Sequence, residues 1–237
     1  MTVRRAPIRF ALLAAFAPAA AALIAPSALA HGDVAPQPVN TEALPEVGEE
    51  WLTENPYRDA GDDVWAKAID IGSSGYNQNC ARCHGLGAVS GGLAPDLRYL
   101  EAEEYGDEWY VERFREGYTQ NGITKMPAFG ELLGQKAAWA IRTYIETRPD
   151  EGALDAHAGR LKEIRDTLKV WASDPGAAGD VVAIQAELDE IAAEVETASG
   201  APIADSVAFR ASNLLDGEAA AFKKAADTLT VGLSAAN

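Results

Sequence analysis

The stretch that most limits what this chain can be is Cys80-Ala81-Arg82-Cys83-His84. Two cysteines separated by two residues and followed at once by histidine form the attachment signature of a c-type haem. The chemistry dictates the spacing. Each sulfur bonds one vinyl-derived carbon of the macrocycle, and a single turn of backbone sets His84 beneath the iron as proximal ligand. A bare Cys-x-x-Cys also suits a redox dithiol or half of a zinc site. The chain has only these two cysteines, however, so no second pair is available for zinc. The motif is read as one covalent haem c carried by Cys80 and Cys83.

Residues 1–30 read as a leader rather than as structure. Arg4, Arg5 and Arg9 give a positive start, an Ala/Leu/Phe/Ile run follows, and Ala28-Leu29-Ala30 offers a small-residue cleavage site. This is the form of a secretory signal peptide cleaved after Ala30; Pro18, Pro26 and the polar chain beyond weigh against the alternative, an uncleaved anchor. Export agrees with the haem, which is attached outside the cytoplasm in proteins of this kind. His31 would open the mature chain, and a terminal histidine chelates copper, but no second histidine lies nearby and ordinary processing explains it. Removing the leader takes three arginines and no acids, leaving 17 basic residues against 36 acidic ones, a charge of −19. So acidic a chain argues against nucleic acid and against stable association with an anionic membrane after cleavage. It favours a partner with a local basic face.

Residues 31–63 are rich in Pro, Glu, Asp and Asn, with Trp51 as the largest apolar anchor, and are expected to form an irregular arm lying over the adjoining domain. A helix is predicted from about Val64 to Cys80 and on through the motif, with Gly72, Tyr76 and Cys80 at four-residue intervals on one face. Glycine in mid-helix costs about 1 kcal/mol against alanine, which suggests that another helix passes close at Gly72. Residues 85–95 form a Gly-rich loop ending in Ala94-Pro95-Asp96-Leu97-Arg98. A ligand histidine donates its second N–H to an acceptor, and the Pro95 carbonyl is a candidate beside the alternative of a plain turn. Arg98 suits a haem propionate as a permanently charged fork; a solvated surface arginine is the alternative. Glu108 to Glu116 is helical in pattern, with Tyr110, Val111 and Phe114 on one face. Met126, the only methionine besides Met1, sits in a Gly/Pro-containing loop beyond His84. It is the candidate sixth ligand; core filler is the ordinary role of a lone methionine, and the competing ligands His31 and His157 lie outside the domain. A last helix is predicted from Leu132 to about Thr147, ended by Arg148-Pro149, as partner of the Gly72 helix.

From about Val64 to Arg148 the pattern resembles the class I monohaem cytochromes c. It has the helix with Gly72 and Tyr76, Cys80-x-x-Cys83-His84, the Pro95 loop, Met126-Pro127, and the aromatic C-terminal helix. The resemblance implies an all-α fold around one covalent haem, with the first and last helices crossing at the glycine and His84 and Met126 as axial ligands. His31-Gly32-Asp33-Val34, Asn55-Pro56-Tyr57-Arg58, Gly75 to Cys80 and Gly91 to Arg98 are similar, more narrowly, to the PedF-type periplasmic cytochromes and to the haem domains of quinohaemoprotein alcohol dehydrogenases. That likeness implies a soluble periplasmic carrier, not an enzyme. It would accept electrons from a PQQ-dependent alcohol dehydrogenase and pass them to a downstream cytochrome or terminal oxidase. A general carrier for another dehydrogenase or oxidase, and a haem enzyme or gas sensor with an open sixth position, are the alternatives.

The haem domain is thus assigned to residues 64–150, and the resemblance stops there. Residues 151–237 form a C-terminal extension with three apolar stripes at helical spacing. The first is Leu161, Ile164, Leu168 and Trp171, and the second Val181, Ile184, Leu188, Ile191 and Val195. The third is Leu215, Ala219, Phe222, Ala226, Leu229 and Leu233. Two or three amphipathic helices are expected, Asp180 capping one of them, as stabilising structure or as a docking or dimerising element. The acidic run Glu101, Glu103, Glu104, Asp107 and Glu108 is a candidate for steering a partner, with a solvated face as the alternative.

Overall fold

The computed structural model describes residues 1–2 and 36–235. Most of the predicted leader, the expected cleavage point after Ala30, His31 and the His31–Val34 segment lie outside the described residues.

Residues 36–61 are irregular and are pinned to neighbouring helices. Gln37 N–H donates to Asn79 Oδ1 (2.7 Å) and Leu52 N–H to Gln135 Oε1 (2.6 Å). Trp51 meets Phe114 at 6.3 Å between ring centroids, though Tyr57, 1% exposed, is the deeper anchor. The first helix, α1 (Asp62–Asn79), starts two residues earlier than its apolar pattern predicts, because Asp62 and Asp63 favour the positive end of the helix dipole. Cys80 ends α1 and opens the single-turn α2 (Ala81–His84). Helix α3 (Glu104–Glu116) likewise begins four residues before the predicted Glu108.

The segment carrying Met126 is a hairpin rather than the predicted loop. Strands β1 (Tyr118–Gln120) and β2 (Ile123–Met126) pair antiparallel, Gln120 opposite Ile123 and Tyr118 opposite Met126. The two-residue connection Asn121-Gly122 has φ of 53° and 75°, the paired left-handed turn that matches strand twist. Asn-Gly between short β-prone runs is a hairpin cue in its own right.

Helix α4 (Gly130–Glu146) is interrupted at Gly134 (φ 77°), which turns its first residues away from the regular helix beyond. It crosses α1 at Gly72, where a Cβ would stand 1.9 Å from the Ala140 carbonyl oxygen. No side chain fits there, which is why the sequence accepts glycine's helical penalty. Around this crossing Tyr76, Tyr110, Phe114, Trp139, Ile141, Tyr144 and Ile145 form the first core.

Among the described residues the extension holds four α-helices rather than two or three: α5 (Ala158–Ser173), α6 (Val181–Glu194), the short α7 (Val207–Ser212) and α8 (Ala219–Ala235). The three stripes line a second core, with Leu161, Ile164, Leu168, Leu188, Phe222 and Leu229 fully buried. Leu215 belongs to the turn before α8 rather than to its stripe. Asp180 caps α6 through Ala183 N–H at 3.0 Å. Helix α7 escapes the periodicity because six residues contain too few repeats to register. Its Phe209 meets Trp65 of α1 edge-on at 5.4 Å and so joins the two cores. Among the described residues no helix is long and apolar enough to cross a membrane.

Candidate haem-binding site

At the end of α1 the Cys80 carbonyl accepts from Cys83 N–H (3.1 Å) and His84 N–H (3.0 Å), coiling the motif into one turn. Gly85 closes that turn by donating to Ala81 O at φ 82°, and a Cβ there would collide with the Val89 carbonyl at 1.8 Å. The Tyr76 hydroxyl, one turn before Cys80, donates to Gly85 O at 2.8 Å and ties α1 to the exit of the motif. Burial, followed by the neighbouring Cys83 sulfur, pushes the Cys80 thiol up to about 12 in the unattached chain.

His84 Nδ1 lies 2.9 Å from the Pro95 carbonyl oxygen. A ring donating there is the tautomer that leaves Nε2 for a metal. Burial lowers the imidazole below its ordinary value, the Pro95 carbonyl offsetting part of that, and a neutral ring is the form that ligates.

Asp96 organises the loop that carries Pro95, a role not apparent from the sequence pattern. Its carboxylate accepts from Ser90 N–H (3.2 Å), Arg98 N–H (3.1 Å), Arg98 Nε (3.1 Å) and Arg98 Nη2 (2.9 Å). Burial would raise this carboxyl, but the Arg98 guanidinium and the two backbone donors outweigh it and hold Asp96 below the usual carboxylate range. An aspartate two residues before an arginine, after proline, is the one cue the sequence offers. Arg98 is 7% exposed and commits its Nε–Nη2 edge to Asp96. It is therefore not a free surface arginine.

Met126 is half-buried at the end of β2 and packs against the same core as Cys80. Both ends of the site thus rest on one hydrophobic core. His157 lies in the extension, its Nε2 3.3 Å from Glu194. Asp107, counted in the acidic steering run, is fully buried; Glu101, Glu103, Glu104 and Glu108 remain exposed.

The donor set fits a covalent haem. Two sulfurs lie within one turn, an imidazole is oriented by a carbonyl, and a thioether stands on a separate hairpin. Leu86 and Leu93 on the motif loop, 78% and 69% exposed on the protein surface, add apolar area suited to a macrocycle. Fold and site together define a class I cytochrome c.

The family model described as cytochrome c oxidase, cbb3-type, subunit III matches residues 67–145. Cytochrome c550 of Pseudomonas aeruginosa is 52% identical over 123 residues, covering 51% of this chain and 82% of that protein. Two enzymes of Pseudomonas putida also match. Quinohemoprotein alcohol dehydrogenase ADH IIB is 31% identical over 91 residues (38% of this chain, 12% of the enzyme), and ADH-IIG is 32% identical over 81 (34% and 11%). No solved structure gives a significant match. The chain belongs to the cytochrome c550 family. It is an electron-transfer protein with one covalently bound haem c, not an enzyme, which sets aside the open-site enzyme reading.

Proposed function

We propose that this cytochrome works in the periplasm, exported by a leader cleaved after Ala30. There it takes single electrons from a PQQ-dependent alcohol dehydrogenase and passes them to a downstream cytochrome or terminal oxidase. The bound haem supplies a one-electron Fe(III)/Fe(II) couple. Cys80 and Cys83 would hold it covalently, and His84 and Met126 would ligate its iron. The Pro95 carbonyl keeps the His84 ring in the ligating tautomer, and Arg98 offers a propionate the guanidinium edge that Asp96 does not use. The hydrogen bond from His84 to Pro95 is the observation that carries the site reading. For the donor, support comes from the likeness of this same stretch to a small part of two quinohemoprotein alcohol dehydrogenases. Residues 64–150 act as the haem domain, with the arm before it and the extension after it.

The site is tested by the weak near-infrared Met-to-ferric-iron band, expected in the wild type and absent in Met126→Ala. The partner is tested by rapid mixing of the oxidised protein with the substrate-reduced dehydrogenase across ionic strengths. Fast, saturable, salt-sensitive reduction supports the assignment. Sluggish, non-saturating reduction would sink it and leave the alternative of a general carrier, which the match to the oxidase-subunit family model favours.

A further inference from the structure

Beside the first core, Arg58, Asp107, Arg142 and Glu146 form a cluster of charged side chains with little or no exposure to water. Asp107 of α3 is fully buried. It accepts from Asn55 N–H (2.9 Å), Arg142 Nε (2.7 Å) and Arg58 Nη2 (3.0 and 2.8 Å). Glu146 of α4, 1% exposed, takes Arg58 Nε (3.2 Å), Arg58 Nη2 (2.8 Å) and Asn55 Nδ2 (3.0 Å). Arg142, fully buried, also donates through Nη2 to Glu101 O, just before α3, while its Nη1 has no hydrogen-bond partner. Arm, α3 and α4 meet at this cluster. Burying such a cluster brings little net stability compared with apolar packing of the same volume. What it provides is one defined arrangement: Asp107 is satisfied only when arm and α4 are both in place.

The other end of α3 is fastened to the Met126 segment. Phe129 N–H donates to Phe114 O at 2.8 Å, and Tyr118 pairs with Met126 across the hairpin. A Cβ on Gly117 would meet Met126 O at 2.4 Å and Ala128 N at 2.8 Å, and one on Gly130 would meet Arg115 Cα at 3.0 Å. Backbone touches backbone along this seam, with no soft side chain between to absorb a shift. Any displacement of the α3 C-terminus is therefore passed to Met126.

We infer that Asp107, held by Arg58 and Arg142, is a remote positioning residue for Met126, acting through α3. The inference rests on the reading of Met126 as an axial ligand. Loosening the cluster leaves haem attached and Met126 present but lets the methionine leave iron more readily.

The experiment is a titration of the ferric full-length holoprotein with imidazole, following loss of the near-infrared methionine band. It compares wild type, Asp107→Asn, Arg58→Met and Leu188→Ala, the last a cavity control in the second core. Asp107→Asn and Arg58→Met are expected to bind imidazole about tenfold more tightly than wild type, a size typical of remote coupling. Leu188→Ala should lower the melting temperature and leave imidazole affinity unchanged. Equal affinities in wild type and both cluster variants, with only the melting temperature reduced, would overturn the inference and make the cluster merely structural. If Asp107→Asn yields no folded protein, Arg58→Met decides alone, since it keeps the Arg142–Asp107 pair. A wild type without the band would refute the Met126 reading itself, a result visible before any imidazole is added, and the inference would fall with it.

Discussion

Pro95 contributes no reactive side chain, yet its carbonyl determines how His84 is held, and Asp96 determines where that carbonyl points. Asp96 accepts four hydrogen bonds from Ser90 and Arg98, and removing it leaves both donors and a buried guanidinium without their partner. Asp96→Ala is expected to destabilise the protein by about 2 kcal/mol, the scale of hydrogen bonds to a charged group, as read by denaturant unfolding of the holoprotein. Its effect at the iron should be separate: freer rotation of the His84 ring, visible as a changed pattern of paramagnetically shifted ring resonances. Met126 stands out in the sequence as the one methionine besides Met1, and no structure is needed to see it. Asp107 shows the opposite case. Within a run of acids it looks like one more solvated carboxylate, and nothing local distinguishes it from Glu108, which is exposed. Only the arrival of Arg58, 49 residues earlier, and Arg142, 35 residues later, makes it a buried hub.

Among the elements, the crossing of α1 and α4 leaves least room for change. With the Ala140 carbonyl 1.9 Å from where a Cβ would sit, Gly72→Ala forces two backbones apart. The expected loss is about 3 kcal/mol or more, at the upper end for overpacking, with a lower yield of haem-loaded protein as the first sign. The extension is bound to the same helix pair. Ser199 Oγ donates to Glu146 O (2.5 Å), Asp205 N–H to Thr147 O (2.9 Å) and Ala198 N–H to Arg148 O (3.4 Å). Glu146 and Thr147, the last residue and the cap of α4, carry carbonyls that a helix C-terminus leaves unpaired. A chain stopped after Asp150 uncaps α4 and uncovers Trp65, and should lose about 2 kcal/mol or more of haem-domain stability. Any loss of electron transfer in such a truncation must therefore be judged against its melting curve before docking is invoked.

Asp205 makes that clamp sensitive to acid. Burial alone would raise its carboxyl, but Arg210 and Arg148 outweigh burial and lower it. A carboxylate depressed in the folded state contributes stability above its unfolded value, near about 4, and loses it as pH falls through the lower folded value. Asp205→Asn should flatten the acid limb of the stability profile below about pH 4 and change nothing in its shape at neutral pH.

At the scale of the whole molecule, charge and site are segregated. Acids outnumber bases 36 to 20 in the full sequence, yet from Ile71 to Pro95 the only charged residue is Arg82, and from Gly117 to Gly130 only Lys125. The two segments that carry the proposed ligands are free of acids in an otherwise acidic protein. Reduction by a donor with a basic face should therefore slow as ionic strength rises, because the field of the remaining surface is screened over about 10 Å at 0.1 M salt. Reduction by a small uncharged reductant should not change with salt. Equal salt responses would mean that charge has no part in the encounter.

The haem motif, the glycine that admits a second helix, the three stripes of the extension and the cap at Asp180 can all be read from the sequence. Each is a local matter: covalent spacing, helical period, or a side chain bonding backbone three residues away. The hairpin under Met126 is local too, written in Asn121-Gly122, although the Gly/Pro content around it reads as plain loop. The rest belongs to the tertiary structure. The burial of Asp107, the engagement of Arg98 by Asp96 within the Pro95 loop, the short α7, and the capping of α4 by the extension all depend on which distant groups are brought within about 3 Å, the reach of a hydrogen bond. A sequence records side-chain chemistry and period along the chain. Whether a charge ends in water or beside its partner is decided only when the chain closes on itself.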